Sequence, residues 1–530
     1  MSIRPDAAQG KNVPAGQKAK RMTAFLTAFL SLCGVVGGQA SGASARENPE
    51  KCTGVYVGKA VSAEGTTLIA RSEDQHSGAY NKMFFVHPAS GDSGGVITDT
   101  GKDQNGFSVE IPARTLKYTH LLDASDVENG PFYACCMNER GVAVIGTVST
   151  TAGEEYSGID PLRPAGEGLR EAILPGVIAC QAVSAEDAVR VLAEYVDRYG
   201  SAEGNTLLFS DPDEAWIFEI YGGTTYAAMR LPEDQMAVFG NEIMLGWADL
   251  DETEGWRFSA NLRSCLEKLS HPVKDEAGRY HLAQSIDPGP RNPYSNMRAW
   301  RGQQLFMPSS AEAYSDDTFY PLLFTPEEKV SVLDVMRLYG DRYEGTAYDM
   351  ALPGNEGLRP IGVTRQSDVH IVQTFPELPA ATCQLQWLAL GNAEHAVFVP
   401  AFSGITDTYE KYRVDNDESG AVNDSFYFAC KSVCSVAETD RAFLSQGVKD
   451  YNLKQEKQML AEILDSLPAV REACESSEED GARFVTDLAA RMAEEQYANA
   501  KDLFRHLLYT QMDNLNDRPD NGEKTAFTMP

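Results

Sequence analysis

The alternation of apolar and polar positions predicts a β-hairpin that begins near residue 52. Val55 and Val57 alternate with glycine and tyrosine over residues 52–58, and residues 67–70 form a second β-prone run. A glycine-containing turn at residues 63–65 separates the two runs. Because a hairpin returns the chain beside its own start, the end of the second strand is predicted to lie next to residue 52.

Beyond this hairpin, the pattern predicts strands, then helices, then strands. Residues 185–199 repeat apolar positions at helical spacing, with Ser184 as the N-cap and Gly200 as the stop. Apolar β-prone runs predict strands on both sides of this helix, at 132–137, 142–148, 206–209, 215–220, 225–229, 236–239, 369–374 and 384–391. This order favours an α+β fold in which two sheets pack face to face with helices outside, a four-layer αββα sandwich.

The C-terminal part of the chain has a different pattern. From about residue 436 it is acidic and rich in alanine, leucine and glutamate, with apolar residues at helical spacing. We predict a helical appendage over 436–515, which would cover the sheets or contact a second copy of the chain in a homo-oligomer. The polar residues 516–530 are predicted to be a flexible tail. Upstream, Thr325 and Glu328 have capping-box spacing, so a helix is predicted to begin there.

Residues 1–45 have the order of a secretory signal. Basic residues up to Arg21 precede a short apolar run from Met22, and small residues follow as far as Ala45. The apolar run is too short for a comfortable membrane span. We therefore predict a signal peptide over 1–45, a pro-segment over 46–51 and an αββα domain over 52–435. The mature protein would be secreted or held at the cell envelope, with no integral membrane span.

Composition excludes several functional classes. The 530 residues carry a formal net charge of −31, which disfavours nucleic acid as a partner. Ten cysteines and eight histidines are present, but no pair or cluster has zinc-site spacing and there is no HExxH motif. We therefore expect no metal or other cofactor.

Cys52 would carry both a nucleophile and a base if the chain were cut before it. Its thiol is the nucleophile, and the new α-amine, with an ordinary pKa of about 8, can accept the thiol proton. The guanidinium of Arg71 would favour the thiolate, and Asp74 would orient Arg71 or the ammonium. The alternative is that Cys52 is a small buried apolar residue at the start of a strand.

The Cys-Thr-Gly sequence at 52–54, followed by Ala-Arg-Ser-Glu-Asp at 70–74, resembles the mature start of bacterial cysteine dipeptidases of the peptidase D type. These are N-terminal-nucleophile hydrolases, related in fold to penicillin V acylases and bile salt hydrolases. The resemblance covers residues 52–515 and includes Phe-Gly-Asn ending at Asn241 and Asn-x-Arg-Ala-Trp around Arg298. It implies the four-layer fold and a catalytic cysteine exposed by autocatalytic cleavage.

The resemblance also implies roles for two further residues. Asn241 would donate to the oxyanion, although an asparagine at a strand end also suits a left-handed turn. Arg298 would pair with the substrate carboxylate or with the carboxylate partner of the catalytic amine. Alternatively, Arg298 and Arg301 form the solvated side of a helix.

The substrate-binding residues are less closely defined. Thr147 and Ser149 lie on a strand that lines the site in the family, although they are also ordinary strand residues. A dipeptidase needs a carboxylate for the substrate ammonium, and Glu73, Asp74 and Asp160 are the candidates.

Three functions remain open on the sequence. The first is a secreted cysteine dipeptidase, whose partner would be a small peptide substrate. The second is an N-acyl amide hydrolase of the penicillin V acylase or bile salt hydrolase type, which the hairpin tip at 138–141 resembles. The third is an acidic secreted binding protein that has lost catalysis.

Overall fold

The computed structural model describes residues 51–75, 79–91, 95–101, 105–124, 132–416, 420–515 and 524–530. The predicted signal peptide (1–45) and the pro-segment up to residue 50 lie outside the described residues. None of the helices within the described ranges is long and apolar enough to cross a membrane.

The described residues form strands and helices whose order matches the predicted succession. The strands are β1 (Lys51–Val57), β2 (Thr67–Asp74), β3 (Lys82–His87), β4 (Gly95–Thr98), β5 (Ser108–Ile111), β6 (Tyr118–Asp123), β7 (Cys135–Asn138), β8 (Ala143–Thr150), β9 (Gly204–Ser210), β10 (Ala215–Ile220), β11 (Tyr226–Arg230), β12 (Met236–Phe239), β13 (Trp247–Ala248), β14 (Trp256–Phe258), β15 (Tyr280–His281), β16 (Leu323–Phe324), β17 (Gln366–Thr374), β18 (Gln384–Leu390) and β19 (Val399–Phe402). The α-helices are α1 (Glu154–Ile159), α2 (Leu174–Ala179), α3 (Ala185–Tyr199), α4 (Leu262–Leu266), α5 (Leu282–Ile286), α6 (Pro293–Phe306), α7 (Val332–Tyr339), α8 (Phe426–Thr439), α9 (Arg441–Ser476) and α10 (Glu478–Asn514).

Two large antiparallel sheets make up the centre of the protein. The first has the order β16-β12-β1-β2-β17-β18-β19, and the second has the order β14-β11-β10-β9-β8-β7-β6-β3. Strands β1 and β2 of the first sheet pack on β8 of the second, and their apolar side chains share one core. Helices α2 and α3 cover the second sheet, while α6 to α10 pack on strands of the first. The predicted α+β four-layer sandwich is confirmed.

The predicted hairpin is also present and sets the geometry of the site. Strand β1 pairs with β2 so that Cys52 lies opposite Glu73 and Gly54 lies opposite Arg71. Because side chains alternate along a strand, Arg71 and Glu73 share the face of Cys52, which is directed toward the second sheet. Asp74 points to the opposite face.

Helix α6 lies close to the end of β12 and brings Arg298 toward the start of β1. Gly302 makes this approach possible, since a Cβ at that position would collide with the side chain of Val238 on β12. Asn292 caps the helix by accepting from the backbone N–H of Tyr294.

One prediction of local structure was wrong. The helix expected at Thr325 begins instead after Ser331, whose side chain and that of Asp334 form the capping box. Within the predicted tail, Phe527 is buried and its N–H donates to the carbonyl of Phe443 on α9. The flexibility of residues 516–530 stays a prediction.

Candidate active site

Cys52 lies at the start of β1, fully buried between the two sheets. The Nη2 atom of Arg71 donates to its thiol sulfur over 3.1 Å. This contact follows from the hairpin register, which places Arg71 two residues from Glu73, the cross-strand partner of Cys52. The prediction that the hairpin brings Arg71 to the thiol agrees with this geometry.

Arg71 is a permanent cation in this environment. Burial alone would lower its pKa, but the neighbouring Cys52 and Glu73 outweigh burial, and the pKa of Arg71 is raised above its usual value. Its Nη1 atom donates to Glu73 Oε2 over 3.0 Å. A guanidinium that is fixed and charged beside a sulfur lowers the free energy of the thiolate.

The carboxylate that orients Arg71 is Glu73, and the prediction of Asp74 for that role was wrong. Strand alternation directs Asp74 to the opposite face, where it forms a buried ion pair with Arg359. Glu73 is held in turn by Lys82, whose Nζ lies 2.9 Å from Glu73 Oε1. The other suggested role of Asp74, orienting the catalytic amine, stays a prediction.

Asn241 holds the backbone nitrogen of the nucleophile. Its Oδ1 atom accepts from the N–H of Cys52 at 3.1 Å and from Arg298 Nη2 at 3.0 Å. Its Nδ2 atom donates to the carbonyl of Ser149 at 2.9 Å. The backbone φ of Asn241 is not positive, so the left-handed turn does not explain this asparagine. An amide NH₂ has a second hydrogen, and its donation to an oxyanion stays a prediction.

Arg298 is fully buried, and Arg301 is nearly so, which contradicts the alternative of a solvated helix face. Arg298 donates to the carbonyl of Cys52, to Thr53 Oγ1 at 3.0 Å and to Asn241. Burial lowers its pKa from the usual value. These contacts make Arg298 a positioning residue for the start of β1. They direct its donors to the protein rather than to a substrate carboxylate.

Thr147 and Ser149 lie on the same face of β8 and share one partner, Glu171. The hydroxyl of Thr147 donates to Glu171 Oε2, and the hydroxyl of Ser149 donates to the same oxygen over 3.2 Å. Glu171 lies shortly before α2 and was missed by sequence reasoning. The period-two pair of hydroxyls on β8 was the available signal, because hydroxyls that are removed from water each need a hydrogen-bond partner.

Asp160 has a structural role. Its carboxylate accepts from the backbone N–H and hydroxyl of Thr224 at 3.0 and 2.9 Å, and from the hydroxyl of Thr225 at 2.7 Å. These bonds fix the turn between β10 and β11. They leave Asp160 poorly suited to bind a substrate ammonium.

Strand β17 carries two buried residues, His370 and Asp368, that lie next to Arg71 and Glu73 on β2. His370 is opposite Arg71, Asp368 is opposite Glu73, and His370 Nδ1 lies 2.7 Å from Asp368 Oδ2. Burial lowers the pKa of His370, so the imidazole is neutral near pH 7. The sequence analysis did not identify this pair, because its nearness to Arg71 depends on the pairing of β17 with β2.

Within the described ranges, one group of residues has ligand atoms close enough to hold a metal ion. Glu394, His395 and Glu438 have ligand atoms within 4.8 Å of one another. Arg441 already pairs with both carboxylates, at 2.6 and 2.7 Å, and Lys449 lies 3.4 Å from Glu394. The carboxylates are therefore neutralised by basic side chains, and none of these residues is among those described above around Cys52.

Comparison with known proteins identifies one family. The model of peptidase family C69 matches residues 51–454. The chain is 30% identical over 392 residues to a probable dipeptidase B of Streptococcus pyogenes serotype M1, covering 71% of this chain and 76% of the relative. It is 27% identical over 467 residues to a probable dipeptidase of Latilactobacillus sakei, covering 86% of this chain and 94% of the relative. It is also 28% identical over 373 residues to dipeptidase A of Lactobacillus helveticus, covering 68% of this chain and 77% of the relative.

Among solved structures, two variants of the conjugated bile acid hydrolase of Clostridium perfringens are similar to the chain. The sequence identity is 10% and the TM-score is 0.30, with 66% of this chain and 92% of the hydrolase covered.

Proposed function

Since the chain belongs to peptidase family C69 and is a dipeptidase of the cysteine type, we propose that it hydrolyses dipeptides with Cys52 as an N-terminal nucleophile. One observation carries this proposal. Arg71 binds the thiol of Cys52, while Asn241 separately binds the backbone nitrogen of the same residue. Cleavage of the bond before Cys52 would turn that nitrogen into an α-amine that is already in place beside the sulfur.

The proposed first step is self-cleavage. The thiol of Cys52 attacks the carbonyl carbon of Lys51, and its proton passes to the departing amide nitrogen as the peptide bond breaks. The product is a thioester between the Lys51 carbonyl and Sγ. Water hydrolyses it, which releases a carboxylate at Lys51 and restores the thiol. Cys52 is then the N-terminal residue, and its former amide nitrogen is a free amine.

In the mature enzyme, the amine serves as the base. An amine has an ordinary pKa of about 8, so about a tenth of it is neutral at pH 7 and about half at pH 8. Asn241 Oδ1 can accept one N–H of the amine, which leaves the nitrogen lone pair for the thiol proton. Arg71 stabilises the thiolate, and the second hydrogen of Asn241 Nδ2 together with backbone N–H groups can stabilise the oxyanion. Arg298 holds the carbonyl of Cys52 and so fixes the orientation of the nucleophile.

The experiment expresses the chain from Arg46 onward, beside a Cys52→Ala variant and a Cys474→Ala control. Cys474 is a partly exposed thiol on α9 and serves as a matched cysteine substitution. We expect the wild type and C474A to begin at Cys52 by N-terminal sequencing and intact mass, and to hydrolyse dipeptides. C52A should keep residues 46–51 and hydrolyse none. Normal dipeptide turnover by C52A, or turnover by a wild type that retains residues 46–51, would contradict the mechanism.

A substrate panel separates the proposed activity from the other functions. Dipeptides are compared with N-acyl amides at equal concentrations of processed enzyme. Hydrolysis of dipeptides alone supports the proposal. Preference for N-acyl amides would indicate an acylase, and no turnover together with an uncleaved Lys51–Cys52 bond would indicate a binding protein.

We also propose that residues 1–45 export the chain. The basic, apolar and small-residue order of this segment supports the proposal. Fractionation of cells that express the full chain, or the chain from Arg46, tests it. Export should require residues 1–45, and an equal cytoplasmic amount of both forms would contradict it.

A further inference from the structure

We propose that Arg365 binds the C-terminal carboxylate of the dipeptide. The proposal rests on the dipeptidase function proposed above and names the residue that distinguishes a free carboxyl terminus from an amidated or extended one. Arg365 immediately precedes β17. Arg298, which the sequence suggested for this carboxylate, donates to the protein instead.

The strand register places Arg365 at the edge of the first sheet where β1 begins. Asp74 at the end of β2 lies opposite Lys51 on one side and opposite Gln366 on the other. Residues 51 and 366 are therefore two strand spacings apart, which corresponds to about 10 Å. Because Arg365 carries a long side chain, its guanidinium is within reach of a small substrate held at Cys52.

Two residues connect the guanidinium of Arg365 to the nucleophile. Its Nη2 atom donates to the hydroxyl of Tyr294 over 2.6 Å. The backbone carbonyl of Tyr294 accepts from Arg298 Nε over 3.2 Å, and Arg298 Nη1 donates to the carbonyl of Cys52. Arg365 and Tyr294 are half-buried, so this end of the connection is accessible from solvent, as a substrate-binding residue requires.

The backbone on both sides of Arg365 is held in place. Its own carbonyl accepts from the N–H of Gln75 at 3.0 Å. Lys431 on α8 donates its Nζ to the carbonyls of Thr364 and Gln366, at 2.7 and 3.2 Å. A side chain on a fixed backbone loses less conformational freedom when it binds a ligand. Arg365 is therefore better suited to anchor a substrate than a mobile surface arginine would be.

The guanidinium of Arg365 has donors available for a carboxylate. Arg71 pairs with Glu73, and Arg359 pairs with Asp74. Among the residues that the structure describes, no carboxylate forms a salt bridge with Arg365. A guanidinium has five N–H donors, and the bond to Tyr294 uses one of them. The remaining donors form the planar fork that binds a carboxylate through two parallel hydrogen bonds.

A second guanidinium increases the positive potential at this place. The Cζ atom of Arg359 lies 5.8 Å from the centre of the Tyr294 ring, whose hydroxyl binds Arg365. Burial and then the charge of Arg365 lower the pKa of Arg359 to about 9. A carboxylate bound at Arg365 would lessen this repulsion, which favours an anionic substrate end over a neutral one.

The size of a dipeptide matches this arrangement. Its scissile carbonyl carbon and its carboxylate carbon are one residue apart, about 3.5 Å in an extended chain. When Cys52 attacks the carbonyl, the carboxylate therefore lies close to the edge of the sheet that carries Arg365. A longer peptide would place a neutral peptide group at the same position. Binding at Arg365 thus selects substrates with one residue after the scissile bond.

The test compares processed Arg365→Gln enzyme with Arg140→Gln, which removes an exposed arginine on the turn between β7 and β8. The substrates are a dipeptide that the wild type hydrolyses and its C-terminal amide. We expect R365Q to lose about 10- to 100-fold in kcat/KM for the dipeptide, mainly through KM, because a charge-assisted bond is lost. For the amide it should stay within about threefold of wild type. R140Q should match the wild type on both. An equal loss on both substrates, or a wild-type KM for the dipeptide, would overturn the proposal.

A binding assay separates failure of this proposal from failure of the dipeptidase function. Free leucine carries the carboxylate of a released product, and leucinamide lacks it. Leucine alone should protect Cys52 of the wild type against iodoacetamide, and neither compound should protect R365Q. Absence of protection in the wild type, or protection that persists in R365Q, overturns the carboxylate site whichever substrate is hydrolysed. Protection that requires Arg365 in an enzyme that hydrolyses no dipeptide would support the site and contradict the proposed function.

Two further measurements exclude a general structural effect. Removal of residues 46–51 and alkylation of Cys52 without ligand should stay within about threefold of wild type in R365Q, because the nucleophile is unchanged. If R365Q does not fold, Tyr294→Phe replaces it, since it removes the hydroxyl that orients Arg365. We expect Y294F to raise KM severalfold for the dipeptide but not for the amide, and an unchanged KM for the dipeptide would overturn the proposal.

Discussion

The guanidinium of Arg71 donates to the thiol sulfur of Cys52 over 3.1 Å and is itself fixed by Glu73 at 3.0 Å. This pair places a permanent positive charge at the nucleophile, where many cysteine hydrolases use a histidine. A guanidinium cannot accept the thiol proton near neutral pH. The proposed mechanism therefore needs another base, and it assigns this role to the nitrogen of Cys52, whose N–H donates to Asn241.

Replacing Arg71 should slow the reaction of the thiol. We expect Arg71→Met to shift the pH profile of Cys52 alkylation upward by about one unit, which corresponds to about tenfold at neutral pH. Arg71→Lys keeps the charge and should give a smaller shift. The measurement is the iodoacetamide rate between pH 5 and 10 on folded protein. Superimposable profiles for R71M and the wild type would show that Arg71 does not control the thiolate.

Asn241 should control both the orientation and the pKa of the proposed amine. Asn241→Ala removes the acceptor of the Cys52 nitrogen and the donor to Ser149, so we expect kcat to fall about 100-fold. Asn241→Asp keeps the shape and adds a negative charge beside the amine. This raises the pKa of an ammonium, so the rise of kcat/KM should move to higher pH. A pH–rate profile of N241D that matches the wild type would argue against the amine as base.

The buried pair of Asp74 and Arg359 should contribute strongly to stability. Removal of one partner leaves an uncompensated buried charge, so Asp74→Asn and Arg359→Met should each cost about 3–5 kcal/mol in urea unfolding. The double variant should cost less than the sum of the two. The exposed pair of Arg190 and Glu194 is the control, where Arg190→Ala should cost under about 1 kcal/mol. Additive losses at Asp74 and Arg359 would contradict a coupled pair.

Gly240 should be required for the position of Arg298. A Cβ at residue 240 would lie 2.7 Å from Arg298 Nη2 and 2.9 Å from the carbonyl oxygen of Ser295. We expect Gly240→Ala to displace the guanidinium, lower the melting temperature and reduce both self-cleavage and turnover. Gly158→Ala is the control, because a Cβ there has no neighbour within 4 Å. Normal processing in G240A would show that the guanidinium can move without loss of function.

The sequence predicted the hairpin and the contact of Arg71 with Cys52, because both follow from strand period and turn position. It named Asp74 rather than Glu73 as the partner of Arg71. The two-residue period of a strand, however, directs the side chains of Arg71 and Asp74 to opposite faces. Glu171 could not be found in this way. It reaches Ser149 through the tertiary arrangement of the segment before α2, which local pattern does not encode.

The helix start was misplaced for a related reason. Thr325 and Ser331 both precede residues with capping-box spacing, and local sequence does not distinguish them. After Ser331, the residues Val332 and Val335 are buried in the core, and this packing determines that the helix begins there.

Glu456 should make stability depend on pH through α9. It is a buried residue that accepts from the N–H of Phe398 over 3.2 Å, and burial raises its pKa from 4.5 to about 7. Since the folded pKa lies above the unfolded value, the folded state binds this proton more tightly. The stabilisation is complete below about pH 4.5 and is lost as the pH rises through about 7.

Glu456→Gln removes this dependence, so the comparison with the wild type isolates one group among several buried acids. Urea unfolding at pH 5 should show little difference, whereas at pH 8 E456Q should be more stable by up to about 3 kcal/mol. The exposed Glu462 on the same helix supplies the control Glu462→Gln, with no such change. The effect appears in global unfolding only if α9 and the sheets unfold together. An unchanged pH dependence in E456Q would therefore mean that α9 unfolds separately or that Glu456 is ionised in the folded protein.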